Sequence, residues 1–290
     1  MTPETDVALS RFTTIGTGGP ARAFARPATL AQLEEALRFA VERNLPARAV
    51  GLGSNLLAAD DGVEALVLRL TGSLAEARVE GDLLIAGGGA TNAVCLHRAR
   101  AAGLGGFEFA CAIPGTAGGG VWMNAGAYDS DWAAILVRAL VATGAGTGWL
   151  TPQELGLSYR HADLAAGQIV AEVEYRLEPR APDKIAARVS ELVSLRKATQ
   201  PTNRRTFGSV FKNPPGELGA GQLLELCGLK GFHVGSAVIS PKHANFIENA
   251  GGATSDDCLA LMGEARRRVR EQHGVELEHE VVLLGDISLP

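Results

Sequence analysis

Three residues stand out for the chemistry that their types and neighbours allow. Ser209 follows Gly208 and precedes Lys212, Asn213 and Pro214. Its hydroxyl is presented at a turn and not packed in a core, placed either to pass a proton or simply to cap the turn. Arg160 follows Tyr159 in a segment that reads as loop. Its planar fork of donors suits a carboxylate, whether of a ligand or of a surface ion pair. Glu280 lies in an otherwise apolar run, 275–284, that reads as the closing strand. Alternation there sets Glu276, Glu278 and Glu280 on one face and Val275, Leu277, His279 and Val281 on the other, the pattern of a strand with a wet face.

Two glycine-rich stretches offer main-chain chemistry. Ile113-Pro114-Gly115-Thr116-Ala117-Gly118-Gly119-Gly120 sits between apolar flanks, and this composition predicts neither a regular helix nor a central strand. Pro114 fixes one backbone angle, while glycines leave no Cβ between the main chain and whatever lies against it. N–H groups freed in this way match an acceptor-rich group such as a pyrophosphate; a plain tight turn is the alternative. Gly51-Leu52-Gly53-Ser54-Asn55-Leu56-Leu57 resembles half of the dinucleotide fingerprint, but it has no third glycine and no following helix, which argues against Rossmann binding. The histidines are scattered without ligand spacing, and no G-x-S-x-G elbow occurs, so neither a metal site nor Ser-His-Asp hydrolysis is expected.

Elements that could position these groups follow from periodicity and caps. Helices are predicted over 29–44, opened by a Thr29/Gln32 capping box, over 91–102, over 183–199, near 221–227, and over 255–273 with Ser255 as N-cap. Strands are predicted over 47–50, 65–70, 83–86, 135–143, 169–177 and 237–240. The change of texture at Pro179 and Pro182 places a domain boundary in or after the helix that follows.

Composition bounds the class. The chain has 290 residues, 46% hydrophobic and 20% charged, with 36 glycines. That is the profile of a soluble α/β protein with tight loops, long enough for two or three compact units. A net charge of −5 argues against a general nucleic-acid or acidic-membrane binder. The arginine-rich stretch 266–270 reads as the solvated face of a helix. Cys95, Cys111, Cys227 and Cys258 form no C-x-x-C pair and are expected to be free thiols in a reducing compartment. No signal-peptide core or membrane-spanning run is found, so the expected location is the cytoplasm.

Several motifs occur in a single order. They are Thr13-Thr14 with Gly18-Gly19, the loop 51–57, Ile113-Pro114-Gly115-Thr116 with Met123-Asn124-Ala125-Gly126-Ala127-Tyr128, Tyr159-Arg160, Gly208-Ser209-Val210-Phe211-Lys212-Asn213-Pro214, Lys242-His243-Ala244-Asn245-Phe246 and Leu277-Glu278-His279-Glu280-Val281. Together they resemble the UDP-N-acetylenolpyruvoylglucosamine reductase family, in its form without an inserted tyrosine loop, over nearly the whole chain.

The resemblance implies an α+β protein. A vanillyl-alcohol-oxidase-type FAD-binding unit would occupy 1–195, with subdomains of about 1–70 and 71–195, and a smaller α+β substrate-binding domain would occupy 196–290. It implies an oxidoreductase of peptidoglycan synthesis, a monomer that uses bound FAD and NADPH to reduce UDP-N-acetylglucosamine enolpyruvate. FAD contacts are implied for Gly51, Gly53, Ser54, Asn55, Leu56, Pro114, Gly115, Thr116, Gly118, Gly119, Asn124, Ala125, Gly126 and Ile169. Substrate contacts are implied for Tyr128, Arg196, Lys212, Asn213, Lys230 and Asn245. By the same resemblance Ser209 gives the proton, while Arg160 and Glu280 hold the substrate carboxylate, which requires a protonated Glu280 with a raised pKa. Rival readings are another flavoenzyme of the same binding fold, acting on an alcohol or hydroxy acid, and a nucleotide-sugar binder without catalysis. Three positions depart from the family pattern: Ala112 and Ala162, where glycine and serine are usual, and Gly120, where alanine is usual.

Overall fold

In the computed structural model, which describes residues 2–290, the chain divides by its contacts into two units. One comprises Arg22–Leu52 and Glu64–Leu195 with the residues ahead of Asp6; the other comprises Asp6–Ala21, Gly53–Val63 and Arg196–Pro290. Two segments that the sequence places in the first unit, Asp6–Ala21 and Gly53–Val63, therefore pack with the last third of the chain. The physical reason is pairing at distance: Leu56–Ala58 lies parallel to Val282–Leu284, and Leu57 and Ile15 belong to the second unit's apolar core.

The first unit is built on an antiparallel five-stranded sheet, ordered Gly146–Leu150, Leu136–Thr143, Ile169–Arg176, Leu83–Gly87 and Ala77–Glu80. The register slips between Leu140 and Val141, which explains why the apolar strand Ile169–Arg176 alternates only in part. Val170, Val173 and Tyr175 enter one core, and Ile169 and Ala171 enter another beneath helix Leu30–Glu42. Thr29 caps that helix as expected, but the Gln32 side chain accepts from Ala28 instead of closing the box on Thr29.

The glycine-rich stretch departs from expectation, because residues Ala117–Trp122 form a short α-helix with three glycines inside it. Packing outweighs propensity here. A Cβ on Gly118 would lie 2.9 Å from the Gly88 carbonyl oxygen, and one on Gly120 would lie 2.3 Å from Trp132 Cε2. Trp132 is fully buried and donates to Tyr175 Oη at 2.7 Å, so it fills the space that an alanine methyl would take. Gly120→Ala is expected to destabilise this unit by about 1–3 kcal/mol, the usual range for overpacking, seen as a lower thermal midpoint with the wild-type fold retained.

The second unit carries a four-stranded antiparallel sheet, ordered Thr206–Ser209, Phe246–Asn249, Ala237–Ile239 and His233–Val234, with helices Ala220–Leu226 and Ser255–His273. Thr254, not Ser255, caps the long helix. Ser255 is the first helical residue, fully buried, and its Oγ donates to the Ala58 carbonyl. The closing strand is shorter than the sequence predicts. Only Val282–Leu284 is strand, and within 275–281 a lone bridge joins His279 to Phe211. Leu277 and Val281 are still buried, so the alternation reflects burial without a continuous ladder. Burial pushes the Cys95 and Cys258 thiols up to about 12, as inert core thiols should be. Among the described residues, no helix is long and apolar enough to cross a membrane.

Candidate active site

In the first unit Arg160 is held by its own turn. Ser158 and His161 exchange both main-chain hydrogen bonds at 3.1 Å, leaving Tyr159 and Arg160 as the two turn residues. Arg160 has φ +54°, a region that disfavours side-chain-bearing residues, so the surroundings must fix it. Asn124 does so: buried, it donates through Nδ2 to the Ser158 carbonyl at 2.9 Å, while its Oδ1 accepts from Ala133 N–H at 2.9 Å. The Arg160 guanidinium then donates to the Gly126 carbonyl at 2.7 Å and lies over the Tyr159 ring at 4.9 Å. Gly126 has no room for more, since a Cβ would sit 2.7 Å from the Ser130 carbonyl oxygen and 3.1 Å from Arg160 Nη1. Asn124 and Gly126, implied as cofactor contacts, thus serve the arginine turn. The Tyr128 hydroxyl donates to the Leu192 carbonyl at 3.1 Å.

The same unit contains a bare main-chain cradle. Gly51 lies against Thr116, where a Cβ would come within 2.7 Å of Thr116 Oγ1. The first three N–H groups of helix Ala117–Trp122 are satisfied, by the Ala90 and Gly88 carbonyls and by Thr116 Oγ1. Among the described residues, the N–H groups of Gly51, Gly115 and Thr116 make no hydrogen bond. The donors therefore lie just ahead of the helix, and they suit phosphate oxygens. Asn92 fixes this loop from below by donating to the Ile113 carbonyl at 2.8 Å. These features fit the pyrophosphate of FAD. Ile169 is buried at the head of its strand, Pro114 is exposed on the loop, and Gly119 is exposed in the first turn of the helix.

In the second unit Ser209 and Glu280 are brought together by main-chain bonds. Gly208 has φ +82° and the ladder shifts register between Thr206 and Ser209, a bulge that leaves Ser209 half-buried opposite Phe246. Its hydroxyl makes no hydrogen bond among the described residues. The next peptide is held on both sides, since Val210 N–H donates to the Asn245 carbonyl at 2.9 Å and the Val210 carbonyl accepts from Glu280 N–H at 2.8 Å. Asn55 donates through Nδ2 to the Glu280 carbonyl at 3.0 Å. Gly53 and Leu56 are buried beside it, and Leu56 pairs with Val282.

The implied substrate contacts divide by what they touch. Asn245 is buried with both ends of its amide engaged: Oδ1 accepts from Phe211 N–H at 2.9 Å and Nδ2 donates to the Phe211 carbonyl at 2.8 Å. It holds the chain beyond Ser209. Burial, with Lys230 nearby, lowers the pKa of His243 and favours the neutral ring, whose Nδ1 accepts from Asn245 N–H at 3.2 Å. Lys212 Nζ lies 2.6 Å from Glu278, Lys230 Nζ lies 2.6 Å from Glu225, and Asn213 Oδ1 accepts from Ala220 N–H at 3.0 Å. Arg196 donates to Gln200 at 3.3 Å. Thr14 has no role in the sequence reading, yet its N–H donates to the Gly53 carbonyl and its Oγ1 to the Thr206 carbonyl. Its place in a motif was the only available signal.

Comparison with known proteins identifies the family. The family model described as UDP-N-acetylenolpyruvoylglucosamine reductase, C-terminal domain, matches residues 200–284, and one described as FAD binding domain matches residues 21–149. UDP-N-acetylenolpyruvoylglucosamine reductase 2 of Symbiobacterium thermophilum is 46% identical over 96% of this chain and 90% of its own length. The Rubrobacter xylanophilus reductase is 42% identical over 97% and 95%. The crystal structure of the Thermus caldophilus reductase superposes with a TM-score of 0.85 at 37% identity, covering 97% of this chain and 99% of that one. With matches of this extent, the chain belongs to the UDP-N-acetylenolpyruvoylglucosamine reductase family.

Proposed function

We propose that Ser209 is the acid, and Arg160 and Glu280 the carboxylate-holding groups, of the family's reduction of UDP-N-acetylenolpyruvoylglucosamine to UDP-N-acetylmuramate. The chain is an FAD-dependent oxidoreductase of peptidoglycan precursor synthesis. When bound, FAD supplies hydride, taken from NADPH, to the methylene carbon of the enolpyruvyl ether. The adjacent α-carbon then gains carbanion character that spreads into its carboxylate. Arg160 offers that carboxylate a planar pair of donors, and Glu280, as a protonated carboxyl, donates to its far oxygen. Ser209 Oγ–H delivers its proton to the α-carbon, and Lys212, ion-paired with Glu278, is the basic residue nearest in sequence to the oxygen left behind. We assign FAD binding to 1–195, substrate binding to 196–290, a monomeric state and a cytoplasmic location as parts of the same reading.

The observation that carries it is a serine hydroxyl with no hydrogen bond among the described residues, set on a glycine bulge whose next peptide is bonded to Glu280. The purified protein should be yellow, and its NADPH oxidation should depend on the enolpyruvyl nucleotide and give a product two hydrogens heavier. NADPH-independent oxidation of an alcohol, or a colourless protein that only binds the nucleotide, would sink the reading. Gly208→Ala adds a direct check. It forces a Cβ into φ +82° and within 3.1 Å of the Ser54 carbonyl oxygen. The backbone cost is about 1–2 kcal/mol, and a displaced Ser209 should lower kcat by about 10- to 100-fold.

A further inference from the structure

The loop around Asn55 is bonded to both segments that carry the second unit's reactive side chains. Thr14 joins the Gly53 carbonyl, at 3.0 Å from its N–H, to the Thr206 carbonyl, at 2.5 Å from its Oγ1, at the start of the strand that ends in Ser209. The Ser54 carbonyl lies against Gly208. The Asn55 side chain donates to the Glu280 carbonyl at 3.0 Å and its main-chain carbonyl accepts from Val282 N–H at 3.0 Å. Glu280 N–H in turn reaches Val210, next to Ser209. A continuous hydrogen-bonded path therefore runs from a glycine loop suited to phosphate, through Asn55, to Glu280 and the peptide beside Ser209.

We propose that Asn55 is a positioning residue that couples the seating of FAD on this loop to the ordering of Glu280 and, through Val210, of Ser209. The inference rests on the roles given to those two residues above. Whatever binds the ordered loop also stabilises the order of the segments bonded to it, and by linkage those segments favour binding. An asparagine suits this use because one amide donor can grip a main-chain carbonyl while the peptide on its other side stays in the ladder with Val282.

Hydrogen exchange read by mass spectrometry on apo and FAD-loaded protein tests the coupling. In the wild type, FAD should slow exchange at the Glu280 and Val282 amides by about tenfold or more. In Asn55→Ala, with FAD saturating by flavin fluorescence, that protection should be lost. Reoxidation by the enolpyruvyl nucleotide should slow about tenfold more than reduction by NADPH does, the scale of one hydrogen bond. If Asn55→Ala does not fold, Thr14→Val carries the same test, with lost FAD-dependent protection expected over 206–210. Full protection of 278–282 at saturating FAD, with only a higher Kd for FAD, would overturn the proposal and leave Asn55 a plain cofactor ligand. The exchange measurement involves no turnover, so its failure is separate from that of the catalytic reading. That reading fails instead if Glu280→Gln reoxidises at the wild-type rate.

Discussion

Ser209→Ala should leave reduction by NADPH within about twofold of wild type while slowing reoxidation by the enolpyruvyl nucleotide on the order of 10³-fold, the scale of a lost general acid. The two halves separate because only the second requires a proton at carbon. The substitution is small: Ser209 is half-buried, its hydroxyl makes no hydrogen bond among the described residues, and its backbone is set by Gly208 and the Phe246 pairing. Folding should therefore survive, and the thermal midpoint should hardly move. Stopped-flow absorbance of each half-reaction provides the measurement. Equal slowing of both halves would remove Ser209 as the acid. Solvent deuterium should slow the wild-type second half and have much less effect on the alanine variant, where the positioned proton is already gone.

Arg160→Lys should lower kcat/KM for the enolpyruvyl nucleotide by about 10²-fold, close to the cost of removing one positioned donor from a developing anion. Lysine keeps the charge but loses the planar fork, and with it the second donor and the hydrogen bond to the Gly126 carbonyl. Without that bond, the side chain is no longer tied to the Gly126 carbonyl. Steady-state kinetics over a range of nucleotide concentrations checks this, with the NADPH half-reaction as the internal control. A variant with unchanged kcat/KM would show that Arg160 holds its own turn and no substrate.

Helix positions were legible in the sequence because their signals are local. Thr29, Thr91 and Thr254 each satisfy an N–H of the first turn, and helices Leu30–Glu42 and Ser255–His273 bury most of the apolar residues whose spacing predicts them. The cap of the last long helix is displaced by one residue because Ser255 is drawn into the core by Ala58 and Thr17, neither of which its own neighbours reveal. The glycine stretch misled for a similar reason. Its composition forbids a helix on propensity, yet Trp132 and the Gly88 carbonyl demand residues without a Cβ exactly where a helical turn passes. The resemblance implies ligand contacts for Asn124 and Asn245, and a motif does not reveal that both are buried with their amides engaged by main chain.

By itself the sequence determined the class of chemistry and supplied the candidates for it, since a hydroxyl, a guanidinium, a carboxyl and a set of bare peptide groups have their reactivity wherever the chain puts them. Tertiary structure alone decided that Gly53–Val63 packs with the last third, that Asn55 grips Glu280, and that Asn124 holds the turn of Arg160. These are contacts between residues far apart in the chain, 225 positions apart for Asn55 and Glu280. They are fixed by which strands pair and which cores close, and no local pattern encodes them.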